Sequence, residues 1–227
     1  MKKTLLMFVT VISSSFGQLN AQTFRDAGLW TTMSIEYEFK NNLSIVLDEE
    51  FRLKENFTKV NLFYTNFGMT YELNKTIKFG LIYRNIQKFR LDGSISFRNR
   101  LMFDFLLKHK FDRWAFSLRT RLQGEVQDYY TSEFGKIPEY YLRNKFEVKY
   151  DLNHWTPSFS VEFRYQIYER KTPETNGLYH RIRPAIGLDY EINKHNTWGV
   201  YYLIQKEWNL SERDELFIVG LQYVVKL

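Results

Sequence analysis

The sequence contains no cysteine. That absence removes a lipid attached at a cleavage-site cysteine, a disulfide framework and a thiolate metal site. Nor does any apolar run approach the roughly 20 residues of a membrane-spanning helix. An apolar stretch from Leu5 to Ile12 follows Lys2 and Lys3 and passes into Ser13, Ser14 and Ser15, with Leu19-Asn20-Ala21 just before Gln22. A charged start, a short apolar segment and a cleavage site read as a signal peptide over residues 1–21. Residues 22–227 then form one exported domain. A basic block is also missing: the net charge of +6 falls by two when Lys2 and Lys3 leave, and Arg and Lys are interleaved with Glu and Asp, which argues against nucleic acid as a partner. There is no Gly-rich phosphate loop, His-Glu-x-x-His or calcium loop, so no cofactor or metal is expected.

Aromatic residues are abundant. Phe, Tyr and Trp make up 41 of 227 residues, yet the mean hydropathy is negative. Aromatics need burial or an interface, and a wall with one apolar and one polar face satisfies both observations.

A short phrase recurs along the chain: Tyr37-Glu38-Phe39-Lys40-Asn41, Tyr71-Glu72-Leu73-Asn74-Lys75, Tyr150-Asp151-Leu152-Asn153-His154 and Tyr190-Glu191-Ile192-Asn193-Lys194. His109 to Arg113 is a looser copy, and Tyr223 to Leu227 repeats its opening. Each phrase is a strand end followed by a tight turn, with Asn, Asp and Lys where positive φ is often required. Trp114, Trp155 and Trp198 follow three of these turns. Tyr37, Tyr71, Trp114, Tyr150, Trp155, Tyr190, Trp198 and Tyr223 therefore predict an aromatic girdle at one membrane boundary.

Between the turns, residues alternate strictly. Ile77, Phe79, Leu81 and Tyr83 share one face, as do Leu101, Phe103, Phe105 and Leu107, and Phe159, Val161, Phe163 and Tyr165. The opposite parity carries charge. Such runs exceed an ordinary soluble strand and suit a tilted membrane strand. The pattern predicts an all-β fold, a transmembrane up-and-down antiparallel barrel of 10 to 12 strands, with longer polar connections near residues 54–59, 90–94, 128–138, 170–177 and 209–214. The strands visible in the pattern number eleven. Because bacterial single-chain barrels have even counts, a short first strand at residues 22–28 is expected to make twelve. Glu49 and Asn144 fall on the lipid parity and Pro184 inside a strand, each pointing to a bulge.

The lumen parity holds the candidate functional residues. Arg98, Arg100, Arg119, Arg121, Arg143, Arg164, Arg181 and Arg183 form a ladder able to bind or conduct anions, because guanidinium forks pair with carboxylate and phosphate. Glu36, Glu38, Glu50, Asp104, Glu125, Glu147 and Glu162 are placed to neutralise it, and a narrow barrel is also filled by its own side chains. Both readings stay open on the sequence. A pore or transporter for small polar or anionic solutes is the first expectation, and a plugged structural or adhesive barrel is a third reading. The alternative from another class is an outer-membrane lipid-modifying enzyme, resting on His180 with Ser94, Ser132 or Ser211. No triad spacing or Gly-x-Ser-x-Gly turn supports it.

Gly28-Leu29-Trp30, the first strand through Tyr37, and Glu49-Glu50-Phe51-Arg52 together resemble a family of small Gram-negative outer-membrane proteins known only as a domain of unknown function. The resemblance implies a barrel across the whole mature chain and no known activity. The expected setting is a monomer in outer-membrane lipid, delivered to the barrel-assembly machinery through its C-terminal strand.

Overall fold

Period-2 alternation fixes which side of a strand is apolar, and in the computed structural model that rule builds a single closed wall. The structure describes residues 22–39, 42–90, 92–127, 134–210 and 212–227; the signal-peptide segment 1–21 lies outside them. Eleven strands follow in chain order: β1 (Gln22–Glu38), β2 (Leu43–Lys54), β3 (Lys59–Glu72), β4 (Ile77–Phe89), β5 (Ile95–Phe111), β6 (Trp114–Gln127), β7 (Glu139–Tyr150), β8 (Trp155–Tyr168), β9 (Leu178–Asn193), β10 (Asn196–Glu207) and β11 (Glu212–Lys226). Each pairs with its chain neighbours, and β1 closes on β11.

The count of eleven lies within the expected range and corrects the preference for twelve. Residues 22–28 are not a separate strand. They are the beginning of β1, which continues to Glu38. An odd number of up-and-down strands makes the first and last run the same way. The closing seam is therefore parallel, in register from Gln22 opposite Glu212 to Glu36 opposite Lys226, while every other pair is antiparallel. Slanted parallel hydrogen bonds are slightly weaker per residue than antiparallel ones, and the length of the seam offsets this.

One rim carries the recurring turns. Asn42, Asp112 and Asn153 sit there with φ of 62°, 51° and 66°, a left-handed conformation that short Asn and Asp side chains tolerate. On the opposite rim only two connections are long, those after β6 and after β8, each with a single 3₁₀ turn, at Phe134–Lys136 and Pro173–Thr175. The other three are four or five residues long, against two to four on the tight-turn rim, so two of the five expected loops are markedly longer and three only slightly. Between β2 and β3, Glu55, Asn56 and Phe57 all have positive φ. The Asp26 carboxylate of β1 accepts the backbone N–H groups of Glu55 (2.8 Å) and Asn56 (3.0 Å), which holds this turn in place.

Bulges occur at Arg52/Leu53, Tyr140/Tyr141, Arg164/Tyr165 and Asn196/Thr197. None coincides with Glu49, Asn144 or Pro184, so the predicted bulges are corrected too. Pro184 leaves a gap in the β9–β10 ladder, where pairing passes from Ala185–Leu203 to Ile182–Lys206 without a change of register. A residue lacking an N–H accounts for a missing rung.

Inside, large and small residues alternate along a row across the seam. Gly187, Tyr201, Gly220, Trp30 and Arg52 face one another in register on β9, β10, β11, β1 and β2. A Cβ at Gly220 would overlap the Tyr201 ring, so the ring lies across β11 where only glycine leaves room. Gly220→Ala should cost about 1–3 kcal/mol by overpacking, read as a lower urea midpoint in detergent, whereas Gly93→Ala in an open connection should show only the cost of its own φ of 81°.

Candidate functional site: a cationic lumen

The inward faces enclose a cavity of about 640 Å³. Its lining runs from Lys149, Asp189 and Gln222, close to the tight-turn rim, to Lys88, Gln127 and Glu169 at the other end. Thirteen Arg and Lys side chains line it against seven Glu and Asp. All eight arginines of the ladder are among them.

Most of these arginines are brought to carboxylates on neighbouring strands. Glu162 of β8 is the centre of the largest group: it accepts from Arg143 (2.6 Å), Arg119 (2.9 Å) and, more distantly, Arg183 (3.4 Å). Glu125 accepts from Arg100 Nε (2.7 Å) and from Arg98 (3.3 Å). Arg121 grips Asp104 through Nε and Nη2, both at 2.6 Å. That bidentate fork matches carboxylate geometry. Arg181 pairs with Glu207, an acid the sequence reading did not single out.

The remaining counter-charges behave differently. Glu50 accepts from Arg52 and from the Tyr64 hydroxyl. Glu147 takes Lys145 at 2.8 Å, and Glu36 takes Lys78 at 3.4 Å. Glu38 is exposed at the tight-turn rim and is not among the residues that line the cavity.

Among the described residues Arg164 has no carboxylate partner. Its Nε donates to His180 Nε2 at 2.9 Å, and its guanidinium lies 4.5 Å from the centre of the Tyr141 ring. Arg84 is also without one: it donates to Asn66 at 2.6 Å and lies 3.6 Å from the Tyr64 ring centre. Rings attract these cations through their π faces but do not cancel their charge.

Sequence pattern missed Arg52, Arg84, Lys88, Trp30, Tyr64, Tyr141 and Tyr201, all lining the cavity. The inward parity of β4 reads Lys78, Gly80, Ile82, Arg84, Ile86 and Lys88, too mixed to stand out as a charged face. Tyr201 had a readable signal, a glycine opposite it on each side.

On the outer surface, the girdle residues gather at the tight-turn rim. Trp114 packs at a tilt against Tyr150 (ring centres 4.7 Å apart), Trp155 against Tyr190 (4.5 Å) and Trp198 against Tyr223 (5.7 Å). Tyr37 and Tyr71 are exposed on the same rim.

Of the hydrolase candidates that the structure describes, His180 and Ser94 are each engaged elsewhere. The bulge at Arg164/Tyr165 turns His180 inward, where it is 1% exposed and its Nε2 is occupied by Arg164. Ser94 donates instead to Asp92 at 2.7 Å. Ser132 and Ser211 lie outside the described residues.

Three comparisons place this geometry among known proteins. The profile of a family described as "Protein of unknown function (DUF2490)" matches residues 27–215. No curated protein matches the chain. Among solved structures the chain is similar to the NanC porin, with a TM-score of 0.50 and 12% identity over 79% of this chain and 85% of that one. At that identity the likeness is one of fold alone, a closed β-barrel.

Proposed function

The chain belongs to the DUF2490 family of proteins of unknown function, and from that starting point we propose a role read from the lumen: a narrow outer-membrane passage for small polar or anionic solutes. The carrying observation is the excess of basic over acidic side chains along a cavity that extends through most of the wall. Among the described residues Arg84, Arg164 and Lys88 are in no ion pair with a carboxylate, which leaves them the cations most open to a solute anion. A solute anion can exchange guanidinium contacts from one end of such a row to the other, because many weak sites let it leave as readily as it enters. The outward face supports residence in a bilayer: large apolar side chains such as Leu101 and Phe103 are about half exposed, and water would penalise such a surface.

The ion pairs around Glu162 and Glu125 favour a second reading, in which the lumen is filled and the barrel is structural. Single-channel recording on refolded protein separates the two. A conducting lumen should give discrete current steps, with a reversal potential of anion-selective sign in a KCl gradient. Protein that is shown to be folded by its heat-dependent gel mobility, yet passes no current, would establish the plug and sink the passage.

A further inference from the structure

An apolar outer wall should be apolar throughout; besides the Thr120-Asn144 pair on β6 and β7, one longer row departs from this. Glu49, Thr65, Asn85 and Asn99 face each other in unbroken register on β2, β3, β4 and β5. All four lie on the outward parity. Apart from Gln87 beside Asn85, the outward residues bordering the row along the strands are apolar or aromatic: Leu47 and Phe51 around Glu49, Phe63 and Phe67 around Thr65, Tyr83 before Asn85, Phe97 and Leu101 around Asn99. On three of its four strands the row is thus set within the apolar band.

Its members satisfy only part of their hydrogen-bonding capacity. The Thr65 hydroxyl donates to the Glu49 carboxyl, at 2.8 and 2.9 Å from its two oxygens. Asn99 Oδ1 accepts from Tyr83 (2.6 Å) and from Asn85 Nδ2 (3.1 Å). Asn85 Oδ1 and the Asn99 Nδ2 hydrogens then have no partner among the described residues. Acyl chains offer none, and an unmet polar group in hydrocarbon costs several kcal/mol. A polar residue at such depth implies a partner.

We propose that this face is where a second copy of the chain docks, the two barrels lying side by side about a two-fold axis along the membrane normal. The hydrogen-bonding inventory is self-complementary: one spare acceptor at Asn85, spare donors at the adjacent Asn99. Rotation about such an axis sets Asn85 of one copy against Asn99 of the other, so each leftover group meets its match in both directions. An isologous contact of this kind closes as a dimer. The far wall has no equivalent: at Asn144 the amide oxygen accepts from Thr120 (3.0 Å) and the amide nitrogen donates to Tyr179 (3.4 Å), within the chain. The inference replaces the expected monomer. It rests on the wall facing lipid but not on whether the lumen conducts.

Because the natural chain lacks cysteine, disulfide trapping has no background. Asn85→Cys and Asn99→Cys chains, mixed and reconstituted into phosphatidylcholine vesicles, should cross-link to each other under mild oxidation and run at twice the chain mass. A chain carrying Phe159→Cys, an outward position on β8 that is 52% exposed, should not cross-link with either. The Asn85→Leu/Asn99→Leu variant should remain folded by heat-dependent mobility and become monomeric by light scattering. Absence of the cross-link in protein that passes the mobility test overturns the dimer, as does equal cross-linking through Phe159→Cys. Failure of the mobility test itself would instead strike the membrane reading on which the proposal rests.

Discussion

Glu162→Ala should destabilise the barrel by about 3–5 kcal/mol, the usual cost of removing one partner from a buried ionic group. Among the described residues Arg119, Arg143 and Arg183 have no other carboxylate within ion-pair distance, and all three would be left facing one another in the lumen. Two effects compete. Like-charge repulsion opens the wall, whereas water and chloride entering the cavity screen it. The first should win at low salt, and part of the loss should return as chloride is added. Urea unfolding in detergent at two salt concentrations measures both. The Glu162→Ala/Arg143→Ala double variant should recover part of the stability, since the groups share one network. A loss below about 1 kcal/mol would mean that the network does not hold the wall.

Phe103→Arg tests the other side of the same strand. Phe103 is 48% exposed and faces Leu81 on β4 and Leu122 on β6, both also exposed. Placed against acyl chains near the bilayer middle, an arginine should cost about 2–4 kcal/mol. The expected readout is a lowered yield of folded protein in vesicles and a lower denaturant midpoint, with Phe103→Leu close to the parent. Met102, the next residue, is completely buried and lies 3.3 Å from Arg121, so a shift of one residue separates hydrocarbon from a cationic interior. If Phe103→Arg leaves folding unchanged, the outward face is not in lipid.

That one-residue rule also explains what could be read in advance. Runs such as Leu101 to Leu107 against Arg98 to Lys108 identify both faces of β5 without a structure, and the repeated Tyr-acid-apolar-Asn phrase marks one rim. Strand count was not legible from the rule that bacterial barrels are even, because parity is a property of closure and closure joins residues 190 positions apart. Nothing in Gln22 to Gly28 marks them as the start of a long strand rather than a short separate one. Counter-charges were legible by parity, but pairing was not. Glu207 and Arg52 become part of the interior network only through strand register and the bulge beside Arg52. His180 shows the limit most directly: a single extra residue at the Arg164/Tyr165 bulge moved it from a presumed rim position to the inner wall.

The parallel seam has a consequence for anyone who labels this molecule. An even barrel returns its chain to the side from which it set out. With eleven staves, β1 sets out at the rim of the two long connections and β11 finishes among the tight turns. An epitope fused ahead of Gln22 and another appended after Leu227 would therefore report from opposite sides of any bilayer the barrel crosses. The two ends become a built-in pair of sidedness markers, one for each compartment.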